Sequence, residues 1–379
     1  MISLPRPIRI LHIVGAMNVG GAETWLMHVL RKNNPQRFQM DFLVHTEASC
    51  AFDDEIRALG YRIIPCLNLS RPWTYARNFR RILKEYGPYE IVHSHVHHFS
   101  GFVLKLARSA GVPVRIAHSH IDTSPVDRRS NWRRRGYLEL SKHWIKRHAT
   151  TRLACCSDAA MSLFGDNWKN DSRTQLLYCG IDLEPYTKAV DSAAVRAELG
   201  IPADAFVIGH VGRFMEQKNH DFIIEVAAEV VRKIPEARLL LLGSGPLQAA
   251  IKEKAERLGI ERNTIFAGIR RDVVRLLSTM DAFLFPSLWE GMPLSIVEAQ
   301  AAGIPCFVSD VISTESYAVK PLLTPLSLSC SASVWAERIL AVPGTQHPIS
   351  RSQALSLIQQ SSFNIEKSIH DLQAVYVGH

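Results

Sequence analysis

The sequence lacks the features that would place it in a membrane or in a disulfide-stabilised fold. No apolar run approaches the roughly 20 residues that a membrane-spanning helix needs. The first apolar stretch, in MISLPRPIRILHIVG, is short, contains His12 and is not followed by a small-residue cleavage site. The seven cysteines are odd in number and form no Cys-x-x-Cys pair, so neither a disulfide framework nor a structural zinc site is expected. We therefore expect a cytoplasmic protein.

What the sequence does contain is length and a regular alternation of short apolar and amphipathic segments. Its 379 residues, 47% apolar and 21% charged, suit two globular domains. Apolar runs such as Arg9–Val14 alternate with amphipathic segments such as Ala22–Arg31, and a second alternating series begins at Phe206–Val211. This alternation predicts parallel sheets covered by helices. The predicted fold class is α/β, with two Rossmann-like, doubly wound domains facing a cleft.

The predicted domains are residues 1–182 and residues 183–360. The polar segment Asp182–Ala203, which carries Pro185 and Pro202, serves as the passage between them. Residues 320–350 are rich in proline, serine and leucine and are expected to be irregular. The apolar stripe of NIEKSIHDLQAVY predicts a helix within residues 361–379, which we expect to cross back to the first domain.

Positive charge is concentrated in the first half of the chain. Residues 1–190 hold 27 basic and 16 acidic residues, whereas residues 191–379 hold 17 and 20. This asymmetry favours an anionic partner, but no nucleic-acid-binding motif accompanies it. The segment 127–148 mixes cations with three aromatic residues and predicts a cationic amphipathic helix, which suits the inner face of an anionic membrane. A solvated surface helix explains the same composition.

The most informative segment is WEGMPLSIVE, residues 289–298, which follows the predicted strand Ala282–Phe285 and opens a helix. Free amides at a helix N-terminus favour an anion, and Gly291 lets a ligand approach the backbone. Pro293 fits the first helical turn. We expect Glu290 on the loop and Glu298 within the helix, where its carboxylate could accept hydrogen bonds from ribose hydroxyls. An acidic helix start with a solvated glutamate is the alternative.

The longer run LFPSLWEGMPLSIVEAQAAGIPCFVSD resembles the Glu-x7-Glu signature of glycosyltransferase family 4, which has the GT-B fold. The resemblance covers nearly the whole chain and is closest to bacterial enzymes of exopolysaccharide, capsule or lipopolysaccharide assembly. It implies a retaining, metal-independent transferase that needs no cofactor and moves a sugar from a nucleotide diphosphate to a glycan or lipid-linked glycan. UDP is the commonest donor nucleotide in such enzymes, with GDP and ADP as alternatives.

The resemblance also implies the roles of individual residues, and the predicted catalytic residues are Glu290, His120, Arg213 and Lys218. Glu290 would face the transferred sugar, and Glu298 would bind the donor ribose. Arg213 and Lys218, which follow the predicted strand Phe206–Val211, would neutralise the diphosphate leaving group. Two exposed surface cations, or glycines that only permit tight turns, are the alternatives. The remaining donor-binding positions are Gly20, Gly21, Gly243, Gly245, Ile269, Arg270, Gly291, Met292, Pro293 and Leu294, and Glu23 would lie on the acceptor side.

Histidines cluster after two predicted strands, at positions 93, 95, 97 and 98 and at positions 118 and 120. Imidazoles at this spacing can bind zinc, but Asp122 is the one carboxylate nearby and the chain has no Asp-x-Asp pair. We therefore favour neutral imidazoles, with His120 near the transferred sugar and His95 and His118 on the acceptor side. Satisfied packing histidines are the alternative. A metal-dependent hydrolase and a non-catalytic nucleotide-binding GT-B scaffold remain the rival functions.

One position departs from the family pattern. The run Cys179-Gly180-Ile181-Asp182 stands where the family has Asn-Gly-Val/Ile-Asp. A thiol cannot replace the paired hydrogen bonds of an amide, so the turn at the end of the first domain is expected to differ in detail.

Overall fold

The computed structural model describes residues 6–341 and 349–378. The chain divides into two compact units, of which the N-terminal unit comprises Met1–Cys179 with Glu366–His379 and the C-terminal unit comprises Gly180–Ile365. Among the described helices, none has the length and apolar character that crossing a bilayer would require.

The N-terminal unit is built on a seven-stranded sheet. Its strands are β1 Ile8–Val14, β2 Phe38–Val44, β3 Ile63–Pro65, β4 Ile91–Ser94, β5 Val114–Ser119, β6 Thr151–Ala154 and β7 Thr174–Leu176. Its helices before residue 180 are α1 Gly21–Arg31, α2 Asp53–Ala58, α3 Pro72–Tyr86, α4 Ser100–Ser109, α5 Ser124–Asp127, α6 Trp132–His148 and α7 Ser157–Phe164. The strands pair in parallel in the order β3-β2-β1-β4-β5-β6-β7. The order reverses between β1 and β4, which is where doubly wound sheets bind ligands at their carboxyl edge.

Aromatic and aliphatic side chains hold the helices against this sheet. Tyr75 and Phe79 of α3 are fully buried in one core with Leu11 of β1 and Leu104 of α4. Their positions four residues apart on α3 place both rings on one helix face. Truncation of such a ring to alanine is expected to cost about 3–5 kcal/mol of unfolding free energy.

The C-terminal unit repeats the plan with six strands. Its elements in chain order are α8 Glu184–Thr187, α9 Ser192–Glu198, β8 Val207–Val211, α10 His220–Lys233, β9 Arg238–Leu242, α11 Gln248–Arg257, β10 Thr264–Gly268, α12 Val273–Leu277, β11 Ala282–Phe285, α13 Leu294–Ala301, β12 Cys306–Ser309, β13 Leu323–Leu326, α14 Ala332–Leu340 and α15 Arg351–Gln360. The parallel order is β10-β9-β8-β11-β12-β13. Here the reversal lies between β8 and β11. The two parallel sheets with surrounding helices confirm the predicted α/β class.

The expectation of an irregular segment at residues 320–350 is wrong where the structure describes it. β13 adds an edge strand to the sheet, and α14 buries Trp335 completely in the core. Pro325 lies within β13, and an edge strand tolerates proline because one of its sides has no partner strand. Residues 342–348 lie outside the described residues.

Two further helices refine the sequence predictions. The basic segment is not one helix from residue 127, because α6 begins only at Trp132, where the side chain of Asn131 accepts a hydrogen bond from the Arg134 amide. The last helix, α16 Ile365–Val377, contributes its residues from 366 onward to the N-terminal unit.

Candidate active site

Loops at the carboxyl edge of the C-terminal sheet are bonded to one another. The amide of Phe214, after β8, donates to the carbonyl of Ser244, after β9, at 3.0 Å. A second bond, from Gly212 N to Leu242 O at 3.0 Å, joins the same two segments. Gly243 N donates to Gly268 O, at the end of β10, at 2.8 Å, and Leu288 N, in the loop after β11, donates to Gln217 O at 2.8 Å. Segments that are distant in sequence therefore form one continuous edge.

The two glycines after β9 permit this close contact. Gly243 has φ +130°, and a Cβ there would collide with the carbonyl oxygen of Gly212. A Cβ at Gly245 would lie 2.5 Å from the carbonyl oxygen of Phe214. Both glycines thus hold the backbone of Gly212–Phe214 in place, which supports the loop that carries the predicted cations.

Two of the predicted catalytic side chains form an ion pair. Lys218 Nζ lies 2.5 Å from Glu290 Oε1, and the two side chains are 15% and 8% exposed. The side-chain amide of Gln217 donates to Glu290 Oε2 at 3.0 Å and to the backbone carbonyl of Trp289 at 2.9 Å. The pair joins the loop after β8 to the loop after β11, directly at the reversal of strand order.

The turn that follows Glu290 leads into α13 without a side-chain cap. Gly291, Met292 and Leu294 are buried, and the helix begins at Leu294. The sequence predicted Pro293 in the first helical turn. This prediction is wrong, because Pro293 precedes the first helical residue. Since no side chain caps the helix, its first amides can donate to an anion.

Arg213 and Glu298 differ in how the protein holds them. Arg213 is exposed, and in the described part of the chain no hydrogen bond or ion pair engages its guanidinium. Glu298 lies within α13, as predicted, and burial raises the pKa of its carboxyl to about 7. Near neutral pH this carboxyl can both donate a hydrogen bond and accept one, which suits a diol ligand.

The predicted donor-binding residues Ile269 and Arg270 follow β10. Ile269 is 55% exposed. The guanidinium of Arg270 makes two bonds of 2.7 Å to Asp272 and one of 3.1 Å to Glu198, and these bonds raise the pKa of Arg270. Two carboxylates therefore hold the Arg270 side chain in place.

The carboxyl edge of the N-terminal sheet holds neutral imidazoles. His95 contacts two of them, with 2.8 Å from its Nδ1 to His120 Nε2 and 3.0 Å from its Nε2 to His12 Nδ1. His93 Nε2 lies 3.2 Å from His118 Nδ1. Burial lowers the pKa of His12 and of His120 to about 3, and it lowers those of the other three well below the usual range. These five residues are called the histidine cluster below.

Not every predicted histidine belongs to the cluster. His98 Nε2 lies 3.0 Å from Asp127 Oδ2, and His97 Nε2 lies 3.3 Å from the carbonyl of Ile121. These two imidazoles therefore tie the loop after β4 to the segment after β5.

Comparison with known proteins is consistent with this architecture. Residues 19–185 match the model of Glycosyltransferase Family 4, and residues 191–341 match that of Glycosyl transferases group 1. EpsF of Bacillus subtilis (strain 168), named as a glycosyltransferase, is 39% identical and covers 97% of this chain and 96% of its own. The chain belongs to glycosyltransferase family 4.

Two other proteins are similar to this family 4 transferase, one in sequence and one in structure. UDP-Gal:alpha-D-GlcNAc-diphosphoundecaprenol alpha-1,3-galactosyltransferase of Escherichia coli is 29% identical over 68% of this chain and 67% of its own. The crystal structure of Anabaena HepE with UDP and glucose superposes with a TM-score of 0.82 at 18% identity, covering 98% of this chain and 100% of HepE. The latter likeness shows the GT-B fold.

The predicted donor-binding residues of the transferase fall in both units. Gly20 and Gly21 open α1 in the N-terminal unit, and the other nine lie in the C-terminal unit. A Cβ at Gly20 would collide with the carboxylate of Glu23, which folds back over the helix start. Glu23 is thus engaged within its own helix turn.

Sequence reasoning missed the surroundings of the histidine cluster. His12 is paired in register with His93 across β1 and β4, so strand alignment could have found it. Tyr376 Oη lies 2.8 Å from His93 Nδ1, and Cys179 Sγ lies 3.8 Å from His120 Nδ1. The atypical cysteine therefore contacts the predicted catalytic imidazole, which no sequence pattern indicated.

Proposed function

We propose that this glycosyltransferase moves a sugar from a UDP-sugar to a glycan or lipid-linked glycan in surface polysaccharide synthesis, with retention of configuration. The Lys218–Glu290 pair beside the uncapped start of α13 carries the proposal. The E. coli relative, whose name includes a UDP-sugar and a diphospholipid acceptor, and the UDP in the HepE structure support the choice of substrates.

In the proposed donor complex Lys218 leaves Glu290 for the diphosphate. The free guanidinium of Arg213 and the amides at the start of α13 also donate hydrogen bonds to the diphosphate. These positive groups stabilise the negative charge that grows on the leaving group. Glu290 is then free to face the sugar, and Glu298 binds the ribose. This arrangement calls for no cofactor and no metal ion at the diphosphate.

Transfer then proceeds on one face of the sugar. The bond from the anomeric carbon to the acceptor oxygen forms as the bond to the phosphate oxygen breaks, and the acceptor proton passes to the departing phosphate. No protein nucleophile is required. His120, with His95 and His118 on the acceptor side, offers neutral imidazoles that can orient hydroxyl groups without adding charge.

A nucleotide-sugar panel tests the proposal. The purified chain, treated with EDTA, is incubated with UDP-, GDP- and ADP-sugars and lipid-diphosphate glycans, and the product anomer is read by NMR. We expect turnover of a UDP-α-sugar to an α-linked product. An inverted product would refute the mechanism, and activity lost with the chelator would favour the metal-dependent hydrolase.

We further propose that α6 docks on anionic lipid. Trp132 is 76% exposed at its start, and Arg133, Arg134 and Arg135 are exposed beside it, while Leu138 anchors the helix to the unit. Changing the three arginines to glutamate should abolish co-flotation with phosphatidylserine vesicles. The matched control changes three exposed cations of the C-terminal unit, K252E/R257E/R262E, and should float like the parent. Equal flotation of both variants would remove the idea.

A further inference from the structure

Three members of the histidine cluster meet the requirements of a metal site. His95, His118 and His120 each offer one ring nitrogen, and the three nitrogens lie within 4.8 Å of one another. They reach it because β4 and β5 are adjacent parallel strands. Three imidazoles with one open position are a familiar ligand set for zinc.

Hydrogen bonds determine which nitrogens are available. The Nε2 of His95 faces His12, and the Nδ1 of His120 faces the Cys179 thiol. This leaves His95 Nδ1 and His120 Nε2 as the converging atoms, at 2.8 Å from each other. Ligating histidines commonly give their second ring N–H to such an outer partner, which fixes the tautomer.

The third imidazole supplies an unsatisfied atom. His118 Nδ1 bonds His93 Nε2 at 3.2 Å, and His93 Nδ1 in turn contacts the hydroxyl of Tyr376. His118 Nε2 is buried and, among the described residues, has no hydrogen-bond partner. A ring nitrogen buried without a partner costs free energy. In the tautomer in which His118 Nδ1 donates to His93, Nε2 carries a lone pair that a metal ion would satisfy.

We propose that the N-terminal unit binds one Zn²⁺-class transition-metal ion through His95 Nδ1, His118 Nε2 and His120 Nε2, with the fourth position open to water or an anion. Ligands about 2.0–2.1 Å from a tetrahedral ion lie about 3.4 Å apart, so His95 and His120 must separate slightly on loading.

This site goes beyond the proposed function, in which His120 acts without a metal. An ion on His120 Nε2 would remove that imidazole from the acceptor, so loading should lower transfer and chelation should restore it. Binding itself is measured without substrate. An inactive chain that binds metal, or an active chain that does not, therefore separates failure of one proposal from failure of the other.

Trp25 offers a built-in reporter. Its fully buried ring lies 5.4 Å from His118 and 5.9 Å from His120, measured between ring centroids. Paramagnetic Cu²⁺ at the site should quench its fluorescence. W25F keeps every ligand and should lose that component of the quenching.

The experiment titrates the metal-free full chain with Co²⁺ and then with Zn²⁺. We expect one equivalent of Co²⁺ with the visible absorption of a tetrahedral site, and its displacement by Zn²⁺. H95N/H120N should weaken binding at least about tenfold, whereas H370N, on an exposed histidine of the same unit, should bind like the parent. No stoichiometric uptake, uptake unchanged in H95N/H120N, or quenching equal in W25F and the parent would each overturn the proposal. The last readout needs no ligand variant to fold.

Discussion

The two sheets reverse their strand order in the same way, yet the groups at the two carboxyl edges differ in charge. At the C-terminal edge, Lys218 and Glu290 form an ion pair. At the N-terminal edge, His12 and His95 meet as two neutral rings. The comparison shows that topology selects where ligands bind, while local side chains decide whether that place favours a charged ligand or a neutral one.

The physical reason lies in the partners that each buried group has. A buried charge persists when an opposite charge and hydrogen bonds surround it, and Gln217 adds such a bond to Glu290. The imidazoles instead lie among other imidazoles and rings such as Trp25 and Phe42, where protonation would leave a charge without a counterion. A diphosphate is expected at the first edge and hydroxyl groups at the second.

Among the tests of the two edges, removal of Lys218 from the C-terminal edge should have the largest effect on sugar transfer. K218A takes a cation from the diphosphate and leaves the Glu290 carboxylate unpaired, so we expect transfer to fall about 10²–10³-fold. The measurement is kcat/KM with the best donor of the panel. Lys254 is the matched control, because it also pairs with carboxylates, Glu225 and Asp221. K254A with near-normal activity and K218A without it would support the assignment, whereas equal activities would contradict it.

The neutral side is tested by H120N. Loss of one hydrogen bond that orients the reacting sugar corresponds to about 10–100-fold in transfer, a smaller effect than that of K218A. The control is H97N, since His97 lies outside the cluster and has φ +46°, which asparagine tolerates. If H97N loses as much activity as H120N, the cluster has no special role.

Stability should respond to pH with opposite signs in the two units, and this is the smallest effect. In the folded protein the pKa of Glu298 is raised from 4.5 to about 7. The contribution of this carboxyl to the unfolding free energy is therefore fully present below pH 4.5 and is lost as pH rises through 7. His120 has its pKa lowered from 6.5 to about 3, so stability present above pH 6.5 is lost as pH falls toward 3.

Thermal unfolding between pH 5 and pH 8 measures these contributions. E298Q should gain a few degrees in Tm over the parent at pH 8 and gain less at pH 5, since each kcal/mol shifts Tm by about 2–4 °C in domains of this size. H120N should lose less stability than the parent on acidification. A gain for E298Q that does not grow as pH rises from 5 to 8, or a gain for H120N that does not grow as pH falls from 8 to 5, would contradict the predicted difference between the units.

Much of the fold follows from local patterns. The strand Ala282–Phe285 and the helix that bears Glu298 were predictable because a short buried run is followed by a glycine turn and a helical stripe. β13 was not, because Pro325 reads as a breaker unless the strand is known to lie at an edge. The predicted roles of Arg213, Lys218 and the other donor-binding and acceptor-side residues stay predictions.

Side-chain partnerships were the least predictable feature. The sequence spacing of Lys218 and Glu290 does not predict their direct ion pair, because the pair depends on how the loops after β8 and β11 approach each other. The contact between Cys179 and His120 likewise depends on tertiary packing. Periodicity reports which face of an element is buried, but not which side chain it meets there.

The helix α16 has a consequence for how the protein is made. The indole of Trp25 donates to Ser368, and Tyr376 contacts His93, so residues 366–378 complete a core whose other members are synthesised first. Ribosomes add about 5–20 residues per second, so a nascent chain that has released residues 1–179 waits roughly 10–40 s for this helix. During that interval Trp25 has no Ser368 to receive its N–H, and chaperones have their best opportunity to bind the unfinished unit.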